Sequence, residues 1–129
     1  VEWPAPARIE LLHKGAGAEA VVIYHPSRDA GFADALSLAL AAGLADGGLT
    51  VRRMTAGTPL PTDLPANALL VVVANTYWFQ PDWPTGHLLG KARWPQRPVL
   101  GVIAGAGATG AAGATLREAL AATGANVLD

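Results

Sequence analysis

Residues 69–74, LLVVVA, place six apolar side chains in unbroken succession. A strand with one wet face alternates apolar and polar side chains. A run without alternation has both faces covered, as at the centre of a parallel sheet between helices. Parallel neighbours need long crossovers, so this run already predicts a layered α/β chain. Residues 21–24, VVIY, carry the same message: they are β-branched or aromatic and uncharged.

The remaining segments fall into place around these two strands. Phe32, Leu36, Leu40 and Leu44 recur at every fourth position, with Ala35, Ala39 and Gly43 beside them. That periodicity predicts a sheet-packed helix over 32–46, ended by Gly47 and Gly48. Residues 49–54 (LTVRRM) predict a second strand, whose adjacent Arg52 and Arg53 point to an edge position. Pro59, Pro61 and Pro65 make residues 56–67 a crossover that is mostly loop. Residues 75–83 (NTYWFQPDW) read as a polar and aromatic loop, 84–92 as a short helix and 99–104 as a fourth strand. A glycine-rich loop follows over 105–113, then a helix over 114–123 with Gly124 as its terminator, then a fifth strand from Asn126. Residues 8–14 fit either a helical turn or an edge strand; residues 1–19 are expected as an N-terminal arm and 20–129 as the domain.

Five strands in this arrangement fit a parallel sheet in the order 2-1-3-4-5, with a short second crossover and no visible fifth helix. The chain reverses direction across that sheet between strands 1 and 3. Ligands bind outside the strand carboxyl ends at such a switch point. The loops expected there are 25–31 and 75–83, with 105–113 beside them.

Bulk properties narrow the possible partners. The 129 residues suffice for one domain, and 51% are apolar. Nine basic residues oppose ten acidic ones, without a basic stripe, so nucleic acid is not an expected partner. Cysteine is absent, which removes disulfide and thiolate chemistry. No run of about 18 apolar residues occurs, so no membrane span is expected. The chain opens on Val1 rather than Met, which suggests that its natural N-terminus lies upstream. Cytoplasmic placement is the expectation.

The turn Ser27, Arg28, Asp29, Ala30, Gly31 and Phe32 joins a buried strand to a helix. Backbone N–H groups of such a turn converge with the helix N-terminus on one spot, where the dipole favours negative charge. This predicts a phosphate cradle, against the plainer reading of a turn whose Ser27 or Asp29 caps the helix. Tyr77, Trp78 and Phe79 offer flat faces for a ring, or alternatively a patch for a neighbouring subunit. His25 follows the buried strand, where it lines the cradle or packs as a neutral imidazole. His13 and His87 show no metal-ligand spacing.

With these residues in view, VVIYHPSRDAGFADALSLAL resembles the first strand, phosphate loop and first helix of flavodoxin-like proteins. ALLVVVANTYWF resembles their third strand and following segment. RPVLGVIAGAGATGAAGATLREALAATGANVL is similar to the closing half of the NAD(P)H-dependent FMN reductase and quinone reductase branch. The resemblance implies FMN as cofactor, with its phosphate on residues 27–32. It implies Asn75 and Thr76 on the ribityl chain or ring edge, and Tyr77 to Phe79 as ring walls. Backbone N–H groups of Ala104, Gly105, Ala106 and Gly107 would meet the pyrimidine edge. It further implies NAD(P)H as electron source and a quinone or other small acceptor. Homodimerisation is expected from the apolar surface. One departure is clear: Ala33 stands where the family has a hydroxyl residue, leaving Ser27 as the turn's one side-chain hydroxyl, with Arg28 as a charge-assisted replacement.

Two other readings stay open. Gly105, Gly107 and Gly110 spell G-x-G-x-x-G between a strand and a helix, with Asp129 about 20 residues on, the pattern of a dinucleotide site. A flavin-free flavodoxin-like module acting in protein–protein interaction is the other. No residue is nominated as a catalytic acid or base.

Overall fold

The structure, a computed structural model, describes residues 8–25, 32–77, 80–81, 83–104 and 110–128. Its elements are β1 (Ile9–His13), β2 (Glu19–Tyr24), α1 (Phe32–Asp46), β3 (Thr50–Thr55), β4 (Leu69–Tyr77), β5 (Gln80–Pro81), α2 (Trp83–Lys91), β6 (Pro98–Ala104), α3 (Gly110–Ala122) and β7 (Asn126–Val127). The sheet runs β1-β3-β2-β4-β6-β7, with β5 paired to β4 off that path. Neighbours from β3 to β7 are parallel, while β1 pairs antiparallel with β3 and β5 antiparallel with β4.

The expected five-stranded sheet is therefore corrected by two additions. Residues 9–13 of the expected arm form edge strand β1. Residues 75–77, expected in a loop, continue β4, because Thr76 and Tyr77 pair with Pro81 and Gln80 of a returning segment. Likewise α3 begins at Gly110 rather than Ala114, which shortens the glycine-rich loop. The edge position expected for residues 49–54 is also wrong: β1 covers β3, and Arg53 is only 6% exposed.

The two strands that lacked alternation are buried on both faces, as their composition requires. Val21, Ile23, Leu70 and Val72 face α2 and α3; Val22, Tyr24, Val71 and Val73 face α1. Each such aliphatic side chain contributes about 1.5–3 kcal/mol on burial. Along α1, Leu36, Leu40 and Leu44 pack on the sheet as their spacing predicts. The covered stripe extends to Ser37 and Ala41, while Ala35, Ala39 and Gly43 are exposed. Small residues at 37 and 41 let the helix axis come close to the strands. Gly48 ends α1 at φ +86°, with its N–H donating to the Ala45 carbonyl at 2.9 Å. Gly124 does the same after α3 at φ +87°.

Gly101 of β6 lets α3 settle on the sheet. A Cβ there would stand 2.9 Å from Leu120 Cδ1 and 3.1 Å from Leu116 Cδ2. The crossover over 56–68 contains no helix, as its three prolines require. The described residues contain no helix long and apolar enough to cross a membrane.

Candidate functional site

The register locates the carboxyl edge of the sheet. Tyr24 of β2 stands level with Thr55 of β3 and Val73 of β4, and Asn75 of β4 stands level with Ala104 of β6. β2, β4 and β6 all end at this edge. β4 continues four residues past its last partner on β2. At about 3.3 Å per residue it rises roughly 13 Å above the end of β2. That projecting hairpin, β4 with β5, makes a wall beside the mouth between β2 and β4.

Helix α1 opens at the same edge. It follows β2 and must return to Thr50 at the start of β3, so its N-terminus lies at the carboxyl end of the strands. At 15 residues it spans about 22 Å. The N–H groups of its first turn lack intrahelical partners, as at every helix start. The chain reverses between β2 and β4, so the mouth is a switch point in the sense of open α/β sheets.

Phe32 is thus the first residue of α1, Asn75, Thr76 and Tyr77 are the last three of β4, and Ala104 is the last of β6. The backbone brings these positions to one edge of the sheet. Ser27, Arg28, Asp29, Ala30, Gly31, Trp78, Phe79, Gly105, Ala106 and Gly107 lie outside the described residues. Asp129, the acidic end of the dinucleotide pattern, lies outside them too. His25, the last described residue before the turn, is buried at 2% exposure.

A polar cluster that the sequence reading missed flanks the mouth on the α1 side. Arg8 Nη2 donates to the Tyr24 hydroxyl at 2.7 Å. The Arg53 guanidinium lies over the Tyr24 ring, 4.6 Å from its centroid. Arg53 Nε and Nη2 donate to Glu10 Oε1 at 3.2 and 2.7 Å, and Nη1 donates to Ser37 Oγ at 3.1 Å. The Arg8 N–H donates to Thr55 Oγ1 and Thr58 Oγ1 at 3.1 and 2.7 Å, fastening the start of β1 to the end of β3. The bond to Tyr24, then the nearby Glu10 carboxylate, hold the Arg8 guanidinium above its ordinary pKa. Arg8 and Arg53 thus share the Glu10 carboxylate in this corner. The available signal was the pair of adjacent arginines in β3: on a strand they face opposite sides, so the one turned toward a covering helix needs a buried partner. The described residues contain no cluster of three or more His, Cys, Asp or Glu that could hold a metal ion.

No protein-family model matches the chain, and no curated protein matches its sequence. Among solved structures, a flavodoxin from the domain Archaea is similar, with a TM-score of 0.61 and 18% identity. The match covers 86% of this chain and 78% of that one. At this identity the likeness shows the fold: a flavodoxin-like α/β sheet, mostly parallel.

Proposed function

We propose that this flavodoxin-like chain binds FMN at the mouth between β2 and β4 and serves in electron transfer. The observation that carries the reading is the convergence of the α1 N-terminus with the ends of β2, β4 and β6 at one switch point, beside a projecting hairpin. The fit is one of backbone placement. A helix start suits a phosphate, and Tyr77, Trp78 and Phe79, consecutive in sequence at the end of β4, offer flat faces for one side of a ring.

In this reading residues 27–32 hold the phosphate. Ser27 supplies a hydroxyl, Arg28 a charge-assisted hydrogen bond, and the N–H groups of Ala30 to Phe32 the helix-start donors. Asn75 and Thr76 bond the ribityl chain or ring edge. Tyr77, Trp78 and Phe79 exclude water from the ring. Backbone N–H groups from Ala104 to Gly107 bond its pyrimidine edge. The bound flavin supplies hydride and electron chemistry; the protein supplies anchoring, orientation and a dry surround.

The finer assignment is a reductase taking electrons from NAD(P)H to a quinone or other small acceptor, working as a homodimer in the cytoplasm. Net charge supports an enzyme over a shuttle. Small electron carriers steer to basic partners through strong negative charge, and −1 gives little steering.

A second reading, a flavin-free interaction module, draws on one specific feature. On the α1 side of the sheet, Leu100 and Val102 of β6 are only partly buried. The experiment that separates the two is FMN titration of the purified chain. Flavin fluorescence quenching, with a melting temperature that rises with added FMN, supports the flavin site. FMN held at about 100 times its Kd adds about 2.7 kcal/mol of stability. Indifference to FMN supports the module, and a response to NAD alone supports the glycine pattern at 105–110.

A further inference from the structure

A second concavity lies on the opposite layer of the protein, over β3 on the α2 side. It exists because the crossover after β3 is proline-broken. The crossover supplies no helix on this side, and loop 56–60 and the end of α2 line the space. The space between them is about 620 Å³, within the range of small-molecule sites.

Its lining has two chemical parts. Met54, Leu60, Leu88 and Trp94 make an apolar floor, Met54 and Trp94 being 1% and 4% exposed. Lys91, Arg93 and Arg97 stand around it as cations, and His87 joins the lining. Arg97 is steadied from the crossover side, where its Nη1 donates to the Pro65 carbonyl at 2.7 Å. Arg93 Nη1 donates to the Ala92 carbonyl at 2.7 Å, and the Lys91 side chain is exposed. The described lining residues include no carboxylate. The carboxyl end of α2 brings a partial negative charge of about half a unit, which three cations outweigh.

We propose that this groove binds a small amphipathic anion: an aromatic body on Met54, Leu60, Leu88 and Trp94, and a carboxylate or sulfonate-like head on Lys91, Arg93 and Arg97. Apolar burial supplies affinity, and the unbalanced cations select charge. A neutral analogue keeps the first contribution and loses the second. The groove does not use the β2–β4 mouth, so its occupancy is independent of FMN.

Met54 is the one methionine in the chain and lies on the floor, so a ¹³C-methyl-methionine sample gives a single reporter signal. The probe is 2-naphthalenesulfonate, whose ring current moves a nearby methyl. The comparison is 2-naphthol, uncharged at neutral pH. The expected result is a saturable Met54 shift with the sulfonate, at an affinity about tenfold or more above that of the naphthol. The double variant Lys91→Glu/Arg93→Glu should lose that preference while binding naphthol unchanged. Retained naphthol binding then shows that the floor is intact. If the double reversal disturbs the native Met54 signal, Lys91→Gln/Arg93→Gln makes the same test without new carboxylates. Equal affinity for the two probes, an unmoved Met54 signal up to about 10 mM sulfonate, or an undiminished sulfonate preference in the variants overturns the proposal.

Discussion

Arg53 Nη2 donates to Glu10 Oε1 at 2.7 Å, and this pair clamps the edge strand β1 to the interior strand β3. The two sides of the pair differ in solvation: the Arg53 side chain is 7% exposed and that of Glu10 36%. Removing the carboxylate charge takes away one partner of a buried guanidinium that also bonds Ser37 Oγ and lies over the Tyr24 ring, so the penalty falls on Arg53. Glu10→Gln is expected to lower unfolding free energy by about 1–2 kcal/mol, below the loss for a fully buried pair because Glu10 is partly wet. Glu19→Gln, opposite the half-buried Arg52 at 3.6 Å, should change it by less than about 0.5 kcal/mol. Urea denaturation of both variants measures the contrast.

Two leucines on different strands should behave oppositely under truncation. Leu70 of β4 is 0% exposed between the flanking strands and helices, whereas Leu11 of β1 is 58% exposed. Leu70→Ala is expected to cost about 2–5 kcal/mol through lost burial and a residual cavity. Leu11→Ala should stay within about 0.5 kcal/mol. Chemical denaturation midpoints, at equal slope, decide this.

Glycine-to-alanine substitutions should split by sign according to what surrounds each site. A Cβ on Gly15 would collide with the Gly48 carbonyl oxygen and sit 2.8 Å from the Leu49 oxygen, both backbone atoms that cannot step aside. Gly15→Ala is expected to cost about 2–3 kcal/mol. Gly48→Ala meets no atoms but must hold φ near +86°, at about 1 kcal/mol. Gly43→Ala, in the exposed middle of α1 with nothing within 4 Å, should stabilise by about 0.5–1 kcal/mol. Thermal melts of the three proteins give the order.

If the flavin phosphate lies on the turn after β2, replacing Arg28 should matter only for ligands that carry it. Arg28→Ala is expected to weaken FMN binding by about tenfold, the loss of one charge-assisted hydrogen bond. Riboflavin, which lacks the phosphate, should bind wild type and variant alike. Parallel fluorescence-quenching titrations check both. A variant that loses both flavins equally would place Arg28 in the ring site instead.

Periodicity and unbroken apolar runs are local quantities, and they carried the elements that depend on local rules. The strands at 21–24 and 69–74, the bounds of α1 at Phe32 and Asp46, and the glycines that end α1 and α3 were readable because side-chain spacing and left-handed φ values are set within a few residues. The switch point followed from the order of strands and crossovers. So did the gathering of residues 32, 75–77 and 104 at one edge.

What the sequence could not decide was who stands next to whom across the chain. Arg53 looks like a solvent-facing edge residue until β1, some forty positions earlier, pairs with β3 and supplies Glu10. Asn75 to Tyr77 look like loop until Gln80 and Pro81 return to pair with Thr76 and Tyr77. Ser37 looks polar and exposed until it becomes the Nη1 partner of a buried arginine. In each case a polar group is made affordable by a partner distant in sequence, and only tertiary structure decides which backbone edges and charges meet. Composition and spacing thus determined the layers and their hydrophobic faces. Long-range pairing decided the edge of the sheet, the arginine cluster beside the mouth and the cationic groove over Met54.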